Sequence, residues 1–396
     1  MLRYVRQYLL AIGLRKLALS VAIQLLLAFF LAHGYDFRVG YIAGRNIVDG
    51  LSPYLGGRLE GSLSAGYGED VQGIGETPLW ALYNGFAYFA SSGHVFLFNL
   101  VAKLPVIAAN IALSYLAYLR GCDAEFFLFN PFILLVTASW GKPDNIATLL
   151  AILPLTYPAP WRATPVALAL SLMIKPLGLP LLPGYITRIR QSGVLRAIVF
   201  SLELVLLSLV LFLAPFMLLG WPLDTVVNGL PNWLKPAGGI SPFNILEILT
   251  GSPTLPEELA YMGLIAPASI LVLTLAGLLY PPADDVQALR MMLLGCMMFF
   301  SLRPWVSEQN LILVLTLIIF LNTKLPSKLL WILPLLFSVA NLSLFQQLYL
   351  IRPSIIMEMY AVDNVARLWA KFILSIAWLI VVWWIAYSRG MLSWRR

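Results

Sequence analysis

Apolar windows follow one another along almost the whole chain, at about 17–33, 94–119, 126–139, 145–160, 197–219, 264–280, 288–302, 308–322, 329–350 and 371–388, each closed by charge, proline or glycine. Hydrocarbon offers backbone N–H and C=O groups no water, so a chain of such windows must satisfy them internally, as helices do. Measured against the roughly 20 residues that span a bilayer, the windows predict membrane crossings. Several are nearer 15 residues and cannot cross alone without distortion, so they are expected to pack inside the bundle and thin the bilayer around it. The expectation is an all-α polytopic membrane protein, one integral domain over 1–396, with about 10–12 transmembrane helices, some short or broken. A composition 60% hydrophobic and 11% charged excludes an ordinary soluble domain.

The N-terminus, Met-Leu-Arg-Tyr-Val-Arg with Arg15 and Lys16 ahead of the first window, has no small-residue cleavage site and reads as an uncleaved anchor. The net charge of +7 comes from basic residues at the ends of apolar runs, where they set topology, so no nucleic-acid role is expected. With the N-terminus inside, Arg120, Arg162, Arg188, Arg190, Arg196, Arg290, Lys324, Lys328, Arg389, Arg395 and Arg396 fall on one side. Two conditions attach: 77–90 must stay at the outer interface or re-enter, and 164–185 must enter and return as a broken hairpin around Lys175-Pro176. Two large outer loops result, 34–93 with interfacial or re-entrant helices and 221–262, and they hold most of the carboxylates. Chemistry is therefore expected on the outer face. Cys122 and Cys296 stand far apart, which argues against a disulfide framework or a cysteine metal site. His33 and His94 read as interfacial polar residues rather than ligands.

Asp36 lies just past the outer end of the first crossing, at headgroup depth. A base taking a proton from an acceptor hydroxyl while a lipid-linked donor loses its phosphate belongs there; a solvated helix-end carboxylate is the alternative. Lys175, inside an apolar segment, is expensive unless it faces a cavity or a partner, which a phosphate or Asp144 could supply. Arg303, at the outer end of a crossing, could hold a phosphate bidentately or snorkel to lipid. Asp144 could orient a hydroxyl or pair with Lys142 or Lys175. Glu76, beside Thr77-Pro78, could cap the next helix or join the site. Trp80, Trp140, Trp221, Trp233 and Trp305 suit either sugar stacking or an interfacial belt.

The first loop also resembles a known one. Asp36-Phe37, Val39, Ala43-Gly44-Arg45, Gly50-Leu51-Ser52-Pro53-Tyr54 and Thr77-Pro78-Leu79 occur in the order found in the GT-C superfamily of polyprenyl-phosphate-sugar glycosyltransferases, and are most similar to the catalytic subunits of GPI mannosyltransferase I. Asn130-Pro131, Gly141-Lys142-Pro143-Asp144, Ile174-Lys175-Pro176, and Arg303 with Glu308-Gln309-Asn310 resemble further superfamily motifs. That family has acidic residues where this chain has Gly34 and Ile42, so its sugar and its metal use do not carry over directly.

The resemblance implies a GT-C-like bundle and an inverting transferase that moves a hexose, mannose by the closest likeness, from a polyprenyl-phosphate donor to a glycan or glycolipid acceptor. Asp36 would be the base, Arg303 and Lys175 would bind the donor phosphate, and Asp144, Glu308, Gln309, Arg45 and Glu76 would support the site. No cofactor is required, because the phosphate is already a good leaving group, and a divalent metal is left open. Neither a dinucleotide fingerprint nor a P-loop is present. The alternatives are a transporter or flippase of lipid-linked sugars and a non-catalytic glycosyltransferase subunit. Short connecting loops incline the reading to a prokaryotic plasma membrane with the site outward, against endoplasmic reticulum.

Overall fold

The protein, a computed structural model that describes residues 2–156, 163–226, 236–282, 284–362 and 364–392, is an all-α polytopic membrane protein. Arg162, Trp233, Arg395, Arg396 and part of the loop 221–262 lie outside the described residues. Five described helices are long and apolar enough to cross a bilayer: Val95–Leu119, Val194–Leu219, Glu257–Leu279, Asp285–Leu302 and Val365–Ser388. A bent pair makes a sixth, Arg3–Ile12 turning by 82° at Gly13 into Leu14–Phe30. In the first limb Tyr8 and Ile12 are buried while Arg3 and Arg6 are exposed, the arrangement of a helix lying along a membrane surface.

The short windows are short helices. Asp144–Thr156, Ala163–Ile174, Glu308–Asn322 and Leu329–Ala340 are apolar, but each has only 10–17 residues. Residues 311 to 320 are buried on every side, as expected of an all-round apolar helix in the middle of a bundle. Two windows differ from expectation. The segment 126–139 is Glu125–Phe129, then Pro131–Leu134, then a π-helical turn over Leu135–Ser139. Pro131 has no N–H to continue the first piece, and Asn130 Oδ1 starts the second by accepting from the N–H groups of Phe132 and Ile133. The segment 329–350 stops at Ala340, where Leu342 adopts a left-handed φ of 61° before the short helix Ser343–Gln346. The segment around Lys175 is broken at the expected place, with Ala163–Ile174, a 3-10 turn over Pro176–Leu181 and Leu182–Arg190.

The first large loop is mostly helical. Gly34–Val48 packs along Pro78–Ala90, and between them a small ribbon pairs Gly57–Arg58 with Asp70–Val71 antiparallel. Glycines set the approach of the two helices: a Cβ on Gly44 would lie 2.6 Å from the Asn84 carbonyl oxygen, and one on Gly85 would meet Ile47. Gly44→Val is therefore expected to pry the pair apart and destabilise the protein by about 1–3 kcal/mol, visible as a lower Tm in lipid nanodiscs. An unchanged Tm would contradict this close packing. Backbone pairing then ties distant segments to this hairpin and to each other: Ala32 N–H donates to Gln347 O at 2.8 Å, and Gly238–Gly239 runs parallel to Trp305–Val306.

Candidate functional site

A four-residue loop joins two ionic groups. Gly141 has a φ of +81°, and a Cβ there would lie 2.5 Å from carbons of the Lys103 side chain, so only glycine lets the loop pass. Beyond it Lys142 Nζ lies 2.9 Å from Asp36 Oδ1 and also bonds Glu76 Oε1. Asp144, opening its helix, accepts from Lys175 Nζ at 2.7 Å and from Asn310 Nδ2 at 2.6 Å. Both ends of the Lys142–Asp144 stretch are thus anchored by opposite charge. Thr77 reinforces the join by donating its hydroxyl to Met173 O, two residues before Lys175.

Asp36 sits in the first turn of Gly34–Val48, where the helix dipole favours a carboxylate. Its Oδ2 accepts from Trp140 Nε1 at 2.6 Å, and His33 Nδ1 lies 3.2 Å from the same oxygen. The His33 ring stacks on the Trp140 indole, with centroids 4.3 Å apart. Burial alone pushes the Asp36 carboxyl up, but Lys142, His33 and Trp140 more than reverse it, so the group stays ionised far below the usual carboxylate range. Burial likewise lowers Lys142, and the carboxylates of Asp36 and Glu76 raise it well above the usual lysine range. A narrow cleft of about 40 Å³ opens beside these groups, lined by Asp36, Glu76, Trp80, Lys103, Trp140 and Lys142.

Other expected residues sit at different removes. Arg303 ends the helix Asp285–Leu302 close enough to Asp144 to feel its charge, with its guanidinium 5.6 Å from the Phe299 ring centre. Its side chain makes no hydrogen bond or ion pair with the described residues, so its donors are free for an anion. Glu308 is buried and accepts from Asn341 Nδ2 and Ser343 Oγ, while the buried Gln309 has an Oε1 without a donor among the described residues. Arg45 is not brought into the cleft. It lies nine residues past Asp36, about 13 Å along a helix, and donates to Arg58 O. Trp221 packs in an aromatic cluster with Tyr54 and Phe216, and Trp80 stacks on Tyr83. Among the described residues no group of three or more His, Cys, Asp or Glu could share one metal ion.

Lys103 is the residue the sequence reading passed over. It is buried in Val95–Leu119, forms no ion pair among the described residues, and donates to the carbonyls of Leu31 and Ser139, at the cleft floor. Asn99, one turn earlier, donates to Ala28 O and Leu31 O. Together they clamp the end of the first crossing to the strand of chain that carries Trp140. The signal was available, since a single charge amid apolar residues is the feature that marked Lys175. Neither a family model nor a curated protein sequence matches this chain.

Proposed function

We propose that the protein is an inverting membrane glycosyltransferase that moves a hexose, with mannose the first candidate, from a polyprenyl-phosphate donor to an outward-facing acceptor. The observation that carries the reading is a cleft holding an ionised, buried carboxylate, joined through the Gly141–Asp144 loop to a second ionic group beside which Arg303 has an uncommitted guanidinium. The acceptor oxygen attacks the anomeric carbon from one face as the bond to the phosphate oxygen breaks on the other, and the electron pair leaves on the phosphate. Arg303 takes up the charge that grows there. Lys175, committed to Asp144, fixes the Asp144–Asn310 support and contributes its charge from behind. Lys142 keeps Asp36 in its proton-accepting form, and the hydroxyl proton passes to Asp36 once bond formation has made it acidic. The donor's lipid runs in the surrounding bilayer, and no nucleotide is needed.

The test supplies the purified protein in nanodiscs with polyprenyl-phosphomannose labelled in the sugar and a panel of glycan and glycolipid acceptors. Label leaving the lipid, matched by release of polyprenyl phosphate and with inverted configuration in the product, is the expected result. No loss of label with any polyprenyl-phosphate hexose would overturn the proposal and favour a transporter or an accessory subunit.

A further inference from the structure

A second cavity opens where the distant segments meet. It has a volume of about 220 Å³, smaller than a drug-sized ligand site and open at its mouth, and it lies outside the Asp36 cleft, sharing none of its lining residues. Gly239 makes it possible: at a φ of +62°, it lets the chain run against Val306, whose carbonyl oxygen would be 2.0 Å from a Cβ there. That pairing holds Trp305 over the cavity. The indole N–H is spent on Ser307 Oγ at 3.0 Å, and the residue remains 38% exposed, so the ring offers its apolar face.

The polar lining is just as specific. Gln346 Oε1 accepts from the Tyr67 hydroxyl, which leaves the amide N–H groups unspent, and Asn341 Nδ2 donates to Glu308, which leaves the Asn341 carbonyl oxygen unspent. Lys371 Nζ pairs with Glu247 Oε2 at 2.5 Å, with 7% and 17% of the two side chains exposed. A buried pair of this kind offsets its desolvation only when further hydrogen bonds satisfy the remaining donors and lone pairs. Glu247 neutralises Lys371, and Arg367, which also lines the cavity, donates Nη1 to the Ala340 carbonyl oxygen at 3.1 Å, so neither cation stands unpartnered for a phosphate, and the amides and ion pair do not suit an acyl chain. A flat aromatic face, an amide donor, an amide acceptor and a paired carboxylate and ammonium match a neutral polyhydroxylated ring.

We infer that this cavity is a carbohydrate-binding site, separate from the reaction cleft, which takes a neutral glycan segment with a sugar ring stacked on Trp305. One connected wall leads from it to the chemistry. Asn341 holds Glu308, and Asn310, two residues on, holds Asp144. Assigning the bound glycan to the acceptor rests on the transferase reading; the carbohydrate site itself does not.

The test is binding. Neutral manno-, gluco- and galacto-oligosaccharides are titrated calorimetrically into the full-length protein in nanodiscs. At least one series is expected to bind saturably, about tenfold or more weakly in Trp305→Ala and in Gln346→Leu, and still to bind Asp36→Asn. Gln346→Leu serves where loss of the indole disturbs the fold. Absence of binding by every series, binding that neither variant weakens, or displacement of the sugar by polyprenyl phosphate would each overturn the assignment. Failure of the transferase reading would leave these binding results unchanged, so the two claims fail separately.

Discussion

Replacing Lys142 with Met is expected to be the most damaging single change in the protein. The substitution leaves Asp36 and Glu76, both served by one Nζ and both more than four-fifths buried, without a counter-ion. Breaking a buried pair by removing one partner costs about 3–5 kcal/mol. The pH dependence gives the loss a distinctive sign. In the parent, Asp36 has a folded pKa below its unfolded value of about 4, so its contribution is complete above that value and disappears only in strong acid. Lys142 is shifted upward, so its contribution is complete below about pH 10 and is lost only in strong base. Between about pH 5 and 9 the parent gains or loses nothing from this pair.

Without the lysine, burial, the largest influence on Asp36, is opposed only by His33 and Trp140, and its carboxyl moves upward. The stabilisation that the ionised Asp36 supplies above its unfolded pKa is then lost, so the variant falls furthest behind the parent toward high pH. Thermal unfolding in nanodiscs should therefore show Lys142→Met well below the parent at pH 8 and partly recovered at pH 5, while the parent changes little from these groups. Equal melting of the two proteins at both pH values would contradict the buried bridge. Glu76→Gln, which keeps the shape and removes one of the two carboxylates, is a milder companion because Lys142 retains Asp36.

Much of this arrangement was legible because charge is conspicuous in an apolar chain. Asp36 and Lys175 stood out for that reason, and the break at Lys175-Pro176 followed from the missing proline N–H and the restricted residue before it. The sequence allows Lys175 either a phosphate or Asp144 as partner, and the structure pairs it with Asp144. The partner of Lys142 was less accessible. Sequence proximity suggested Asp144, two residues on, but the two side chains leave the loop toward different elements, and Lys142 meets carboxylates 106 and 66 residues away. No local pattern encodes contacts of that separation.

Trp140 illustrates a second limit. Its position at the end of a window fitted a belt or a stacking surface, whereas its indole N–H is a donor to the candidate base and its ring is taken by His33. The π-helical turn over Leu135–Ser139, which sets that indole's direction, shifts the register by one residue and leaves no mark in the apolar pattern. The bend at Gly13 was hidden for a related reason: the residues on both sides of it are apolar, and the amphipathic limb ahead of it is too short to stand out. Arg45 misled in the opposite direction, since a motif that runs in order along a helix places its members on different faces, and this one turns to the ribbon at Arg58.

The central claim is that Asp36 is the base of a transferase, and single-turnover transfer by Asp36→Asn tests it most directly. Asparagine keeps the volume and an oxygen for the Trp140 N–H, so helix packing should survive while the proton acceptor is lost. Transfer of labelled mannose from polyprenyl-phosphomannose is measured for parent and variant at matched folded protein, with donor retention on the protein as the control. The account predicts a fall of at least about 100-fold, the lower range for losing a general base, with donor still retained. Transfer at the parental rate by the asparagine variant would contradict it, and would return the buried carboxylate to a structural partner of Lys142.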